Sequence, residues 1–215
     1  KCWARYLAKQ SYTWEVLIIN DGSTDSTVNV INQVAENLDM PIRVESIPHG
    51  GKGWAVRHGM LAANGEYRFM CDADLAMPIN QLVGFLDHMT QGCDIVIGSR
   101  QINGARRFGE TIWRHAMGRV FNWSVRLLAV KGFQDTQCGF KCFRGDVAEK
   151  LFRQQRNKGF SFDVEILRMA IENDLRVIEL PIDWYHNTSS KVRPYVDSFL
   201  MFRDTIFLKI RSKRD

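Results

Sequence analysis

The stretch "EYRFMCDADLAMP", residues 66–78, decides the fold. An apolar, aromatic-rich run passes directly into Asp72 and Asp74, with small Ala73 between them. A strand that ends on two carboxylates belongs to an α/β sheet, where ligands bind beyond the carboxyl ends of the strands. Carboxylate oxygens at this spacing suit a hard divalent cation, Mg²⁺ or Mn²⁺, shared with a substrate diphosphate whose charge it neutralises. The spacing alone fits equally well a turn with one capping and one solvated aspartate.

Working outward, the same alternation repeats. "WEVLIIND", 14–21, is an apolar run ending in polar residues and predicts a buried strand. "GSTDSTVNVINQVAENL" follows, with Ser23 or Thr24 as cap and Val28, Ile31, Val34, Ala35 and Leu38 at helical spacing. "IRVESI", 42–47, predicts a second strand, and "GGKGWAVRHGMLAANG" a glycine-rich loop entering a helix that stops near Gly65. After the strand at 66–74 come a helix in "NQLVGFLDHMTQG" and a strand in "DIVIGSR". This order predicts a mostly parallel central sheet with helices on both faces.

The second half is less regular. Residues 111–130 carry a long helical pattern; 135–152 predict a turn, a short strand and a helix; "FSFDVEILRMAIEND" predicts another helix. "RVIELPIDWYH" contains Pro181, which marks an edge strand. Residues 196–210 predict an amphipathic helix leading into "KIRSKR". No repeat, low-complexity tract or linker interrupts the chain, so residues 1–215 are expected to form a single domain.

Composition narrows the partners. The 215 residues are 45% hydrophobic and 25% charged, with net charge +5, which favours anionic partners such as nucleotides, lipid phosphates or a membrane surface. The basic residues form no run with interleaved aromatics, which argues against nucleic acid. No segment reaches about 18 consecutive apolar residues, so no membrane-spanning helix is expected. Cys71 and Cys93 sit in apolar surroundings and suit a reducing compartment. Cys138 and Cys142 lack the second pair that a structural zinc site needs. The chain opens without an initiator Met or a first strand, the pattern of a fragment.

Further candidates follow from chemistry. Asp21, in "INDGSTD", suits either a hydrogen bond to a base or ribose, or an Asp-Gly turn. Gly50, Gly51 and Gly53 around Lys52 let backbone N–H groups approach an anion at a helix start, though the spacing is not that of a P-loop. Arg100 and Arg114 offer forks for phosphate, whereas Arg106 and Arg107 read as solvated surface. Asp163 and Glu165 lie within an apolar helix pattern, either on its exposed face or turned into a cleft.

Taken together and in this order, "INDGSTDST", "GGKGWAVRHGMLAANGEYRFMCDADLAMP", "GSR" and "DTQCGFKCF" resemble the family-2 glycosyltransferases. More narrowly they are similar to the polyprenyl-phosphate sugar transferases. "DTQCGFK", "FSFDVEIL" and "SSKVRP" are nearest to the dolichyl-phosphate β-glucosyltransferase branch. The resemblance covers about residues 12–210.

It implies a GT-A fold, a nucleotide-binding α/β sandwich. By the resemblance, Asp21 contacts the nucleoside, Lys52 and Gly53 lie near the diphosphate, and Asp72 and Asp74 form the metal-binding DxD motif. Arg100 and Arg114 hold the acceptor phosphate; Asp135, Gln137 and Lys141 line the sugar and acceptor side; Lys191 is a further cation there. The first family strand is missing from this chain. "LAMP" after the DxD differs from the mannosyl pattern and leaves the third metal ligand open.

The implied reaction is inverting transfer of a hexose from UDP-glucose or GDP-mannose to a polyprenyl or dolichyl phosphate. It would take place at the cytoplasmic face of a membrane; the 196–214 segment suits either the membrane surface or packing of its apolar face on the sheet. Two alternatives stand beside it. One is a soluble family-2 enzyme acting on a saccharide hydroxyl, with Asp163 as base. The other is a partial nucleotide-binding domain without activity.

Overall fold

The computed structural model describes residues 2–36, 40–74, 76–109, 130 and 132–186. Arg114, Lys191, the 196–210 pattern and all but Val130 of the 111–130 pattern lie outside the described residues.

A short helix α1 (Cys2–Leu7) precedes β1 (Val16–Asp21), α2 (Thr27–Glu36), β2 (Ile42–Ile47), α3 (Lys52–Ala62) and β3 (Tyr67–Cys71). A 3₁₀ turn (Ile79–Gln81) leads into α4 (Leu82–Thr90), then β4 (Ile95–Ser99) and β5 (Arg106–Phe108). The chain continues through β6 (Phe140–Arg144), α5 (Gly145–Gln154), α6 (Phe162–Glu172), β7 (Val177–Pro181) and β8 (Asp183–Tyr185). α2 starts later than Ser23 or Thr24 would place it. Asp25 Oδ1 accepts from the Thr27 N–H at 3.0 Å and from its hydroxyl, fixing the first turn.

β1 and β2 pair in parallel, Val16 opposite Ile42 through Asp21 opposite Ile47. The main sheet has the order β3-β6-β4-β7. β6 runs antiparallel to both β3 and β4, while β4 and β7 are parallel. β5 and β8 form a parallel ribbon. The α/β layering follows the alternating pattern, but the main sheet is mixed rather than mostly parallel: "FKCF" inserts against the grain and makes two of its three pairings antiparallel. Its residues Phe140 to Phe143 are at most 1% exposed, so only a central strand covered on both faces accommodates them.

Alternation along the strands splits the core between two layers. Ile95, Ile97 and Phe143 face Val147, Leu151, Phe152, Phe162 and Ile166 from α5 and α6. Val96, Phe140 and Cys142 face Ile79, Leu82, Phe85 and Met89 around α4. Phe69, Phe85 and Phe140 meet edge-on, with ring centroids 4.5–5.6 Å apart, the arrangement ring quadrupoles favour. The "RVIELPIDWYH" segment divides at Ile182. β7 lies on the sheet edge, and Ile182 turns the chain from Ser99 to Arg106. β5 carries no sequence signal, being three residues with two arginines.

This topology brings the C-termini of β1, β3 and β4 to one end of the fold, with the start of β6 opposite the end of β3. Replacing Phe140 with Ala is expected to cost about 3–5 kcal/mol, because the site is walled by two other rings and cannot collapse. The shift in urea midpoint measures it; an unchanged midpoint would show that the ring cluster contributes nothing.

Candidate functional site

Asp72 leaves β3 with its N–H bonded to the Gly139 carbonyl at 3.1 Å. Its carboxylate lies so close to Gly139 that a Cβ there would stand 2.1 Å from Oδ2. Glycine in "QCGF" is thus demanded by the carboxylate, a requirement the sequence reading missed because the partners are far apart in the chain. Lys52 Nζ reaches Asp72 Oδ1 at 2.9 Å. Asp74 is exposed, and its Oδ1 accepts from the Ala76 N–H at 3.0 Å.

The glycine-rich loop is held from two sides. Asp21 Oδ1 accepts from the Gly50 N–H at 2.8 Å and Oδ2 from the Gly51 N–H at 3.0 Å; His49 Nδ1 lies 2.9 Å from Oδ2. Asp21 therefore shapes this loop, a role that neither the nucleoside contact nor the Asp-Gly turn suggested by its sequence describes. Gly51 has φ 98°, and a Cβ on Gly53 would stand 2.7 Å from the carbonyl oxygens of Asn157 and Gly159. The glycines are required by packing against residues 157–159, whatever anion they approach. Gln155 Nε2 donates to the Gly53 carbonyl at 2.8 Å, and Glu165 accepts from the N–H groups of Arg156 and Asn157. Glu165, read as exposed or cleft-facing, is a buried loop anchor.

Arg100 and Asp135 form a two-pronged pair. Arg100 Nε donates to Oδ2 at 2.7 Å and Nη2 to Oδ1 at 2.9 Å, and the Arg100 N–H also donates to Oδ2. Glu179 on β7 accepts from the N–H groups of Gln134 and Asp135 and fixes this turn. Lys141 Nζ donates to Asp163 Oδ1 at 2.6 Å and to the Cys138 carbonyl at 2.5 Å. Asp135, Lys141 and Asp163 are at most 2% exposed. Asp135 and Lys141, expected on the acceptor side, are each paired within the fold, as burial of an ionisable group requires. Gln137 is half-buried. Its Nε2, with Gln101 Nε2 and Thr136 Oγ1, is buried without a hydrogen-bond partner, three unsatisfied polar atoms on the residues flanking the Arg100–Asp135 pair.

The charges balance, Lys52, Arg100 and Lys141 against Asp72, Asp135 and Asp163. Burial pushes the Asp163 carboxyl up, more than Lys141 and Lys52 pull it down. Burial works in the same sense on Asp135, but the charge and hydrogen bonds of Arg100 outweigh it and hold that carboxyl below its ordinary value. Burial opposes the Lys52 ammonium, and Asp72 and Asp163 overcome it and raise its pKa. Cys138, 3.8 Å from Met77 Sδ, has its thiol pushed up to about 12 by burial. Among the described residues, no three or more His, Cys, Asp or Glu side chains cluster around a common point. A concavity of about 310 Å³ along α3, lined by Glu45, Trp54, Arg57, His58, Leu61 and Ala62, contains none of the candidate residues.

Asp135→Asn is expected to cost about 3 kcal/mol at neutral pH, because it strands a mostly buried guanidinium. The folded-state pKa of Asp135 lies below the ordinary value of 3.8. Its contribution is therefore complete above that value and disappears as pH falls through the depressed pKa. Urea unfolding of both proteins should show a constant gap from about pH 5 to 8 that narrows below about pH 4.

Comparison with known proteins places this geometry. Dolichyl-phosphate beta-glucosyltransferases are similar along most of the chain: 30% identical over 94% of it for Saccharomyces cerevisiae, 35% over 94% for Drosophila melanogaster and 29% over 94% for Homo sapiens. The chain spans about two thirds of their length, 64–66%. Among solved structures, glucosyl-3-phosphoglycerate synthase from Mycobacterium tuberculosis matches with a TM-score of 0.63 at 17% identity, over 91% of this chain and 69% of that one. That likeness shows the GT-A fold. The glycosyl transferase family 2 model matches residues 1–162, and the chain belongs to that family.

Proposed function

We propose that this chain is the transferase domain of an enzyme that moves glucose, with inversion, from UDP-glucose to a dolichyl or polyprenyl phosphate. The observation that carries it is the cation-lined end of the sheet, where Lys52 meets Asp72, and where Arg100, clamped by Asp135, follows β4. The names of the relatives support the glucosyl and dolichyl-phosphate choice. The neighbouring synthase was crystallised with Mn²⁺ and UDP-glucose, which supports the donor.

The residues present fit a divalent cation of the hard class. Asp72 and Asp74 offer carboxylate oxygens, and the missing side chain at Gly139 makes room for the Asp72 carboxylate itself. Beside these two side chains, the diphosphate and water would supply further ligands. Bound there, Mg²⁺ or Mn²⁺ would neutralise charge on the leaving diphosphate.

An acceptor phosphate oxygen attacks the anomeric carbon from the face opposite the diphosphate. The bond from that carbon to the diphosphate oxygen breaks, and its electron pair leaves with the UDP. The acceptor is already anionic, so no proton need be removed; catalysis is positioning and charge stabilisation. Lys52 meets the diphosphate, and the accessible edge of Arg100 meets oxygen-rich acceptor or sugar groups. Asp163 is poorly suited to act as the base a hydroxyl acceptor would need, being buried and bonded to Lys141. No described helix is long and apolar enough to cross a membrane. In this reading the domain works peripherally at a cytoplasmic membrane face, and Arg114 and Lys191 add cations for the lipid phosphate.

The test is a donor screen with a short polyprenyl phosphate, Mn²⁺ or Mg²⁺, and UDP-glucose or GDP-mannose, read by mass spectrometry of the lipid. Glucosyl lipid from UDP-glucose, lost with EDTA, is expected; no product from folded protein would reject the reading. Asp72→Ala is expected to lower turnover about 10²–10³-fold with an unchanged melting temperature. Gly139→Ala should lower turnover comparably, because its methyl group displaces the same carboxylate; full activity would show that the Asp72 position is unimportant.

A further inference from the structure

Lys52 is the first residue of α3, and its ammonium sits 2.9 Å from Asp72 Oδ1, on the same carboxylate that offers itself to a cation. Mg²⁺ or Mn²⁺ needs that oxygen at about 2.0–2.2 Å, and an ammonium beside the same oxygen repels the incoming ion. The two side chains are comparably accessible, 25% and 34% exposed, so this is not a pair locked in the core.

The backbones on either side are fixed. Asp72 N–H is bonded to the Gly139 carbonyl, and α3 is tied to Gln155, which donates to the Gly53 carbonyl, and to Lys158, whose carbonyl accepts from the Trp54 N–H. What can move is the four-carbon lysine stem. Phe160 offers its ring 5.8 Å from Nζ. The other lysine of the site is different in kind. Lys141 is 1% exposed and bonded to both Asp163 and the Cys138 carbonyl, so Asp163 keeps its counter-ion when Lys52 leaves.

Building on the donor reading above, we infer that Lys52 is a counter-ion latch on Asp72 that makes divalent-cation binding depend on a nucleoside diphosphate. Without diphosphate, Lys52 neutralises Asp72 and the cation binds poorly. A diphosphate arriving at the start of α3 offers the ammonium a doubly charged partner. Lys52 swings to it, and Asp72 is released to the cation that the same diphosphate ligates. Metal and nucleotide then enter as one unit. By linkage, each raises the other's affinity by the same factor.

The experiment titrates Mn²⁺ alone into the full chain, follows free Mn²⁺ by electron paramagnetic resonance, and repeats the titration with UDP, corrected for Mn²⁺–UDP chelation in solution. For Lys52→Met and Lys52→Gln, Mn²⁺ alone is expected to bind about five-fold more tightly than to the wild type, the upper range for a half-exposed ion pair. The enhancement by UDP should shrink correspondingly. Lys52→Arg keeps the charge and should keep the weak binding. Far-ultraviolet circular dichroism establishes that each variant is folded. Mn²⁺ binding no tighter in both neutral variants, with Asp72→Asn still weakening it, overturns the latch alone. Mn²⁺ binding indifferent to Asp72→Asn overturns the latch together with the cation site of the proposed function.

Discussion

A lysine in the central strand of a β-sheet has to find a carboxylate, and much of the site follows from how Lys141 does so. It lies between Met70 and Ile97 in the register, on the face shared with Phe143. Its partner is Asp163 in the first turn of α6. Leaving either charge alone in such a place costs several kcal/mol, so the pair dictates where α6 begins relative to the sheet.

The rest propagates from that point. With α6 positioned, Glu165 holds the N–H groups of residues 156 and 157, and that loop in turn receives Gly53 and Trp54 at the start of α3. Lys52 is thereby brought to Asp72. A second chain of contacts runs along the other flank. Glu179 fixes the turn carrying Asp135, and Asp135 holds Arg100 at the end of β4. Charged groups that a sequence suggests as ligands thus divide into two kinds. Lys141, Asp135 and Asp163 are buried scaffolding, whereas Lys52, Asp72 and Asp74 keep access to solvent. Arg100 stands between them, 21% exposed and clamped by its partner.

A preorganised electrostatic site needs this division. The proposed transfer between two phosphate-bearing substrates would relocate negative charge, and dipoles and cations held rigid in advance stabilise such charge without reorganisation. Buried pairs supply the rigidity; the accessible groups supply the contact.

The sequence by itself determined the layered α/β pattern, the strand ends at Asp21, Asp72 and Arg100, and the family, because hydrophobic periodicity and local motifs are properties of neighbouring residues. It also placed the edge strand from Pro181. What only the tertiary structure decided were relations between distant residues. These include the insertion of "FKCF" between β3 and β4, the pairing of Lys141 with Asp163, and the need for glycine at 139 against the Asp72 carboxylate. The β5 ribbon belongs with them, since its three residues earn strand geometry only by lying beside β8. The same holds for charge. A string of letters shows that Asp135 and Lys141 are ionic, but burial and the partner that burial forces on each decide whether they meet a ligand or hold the fold together.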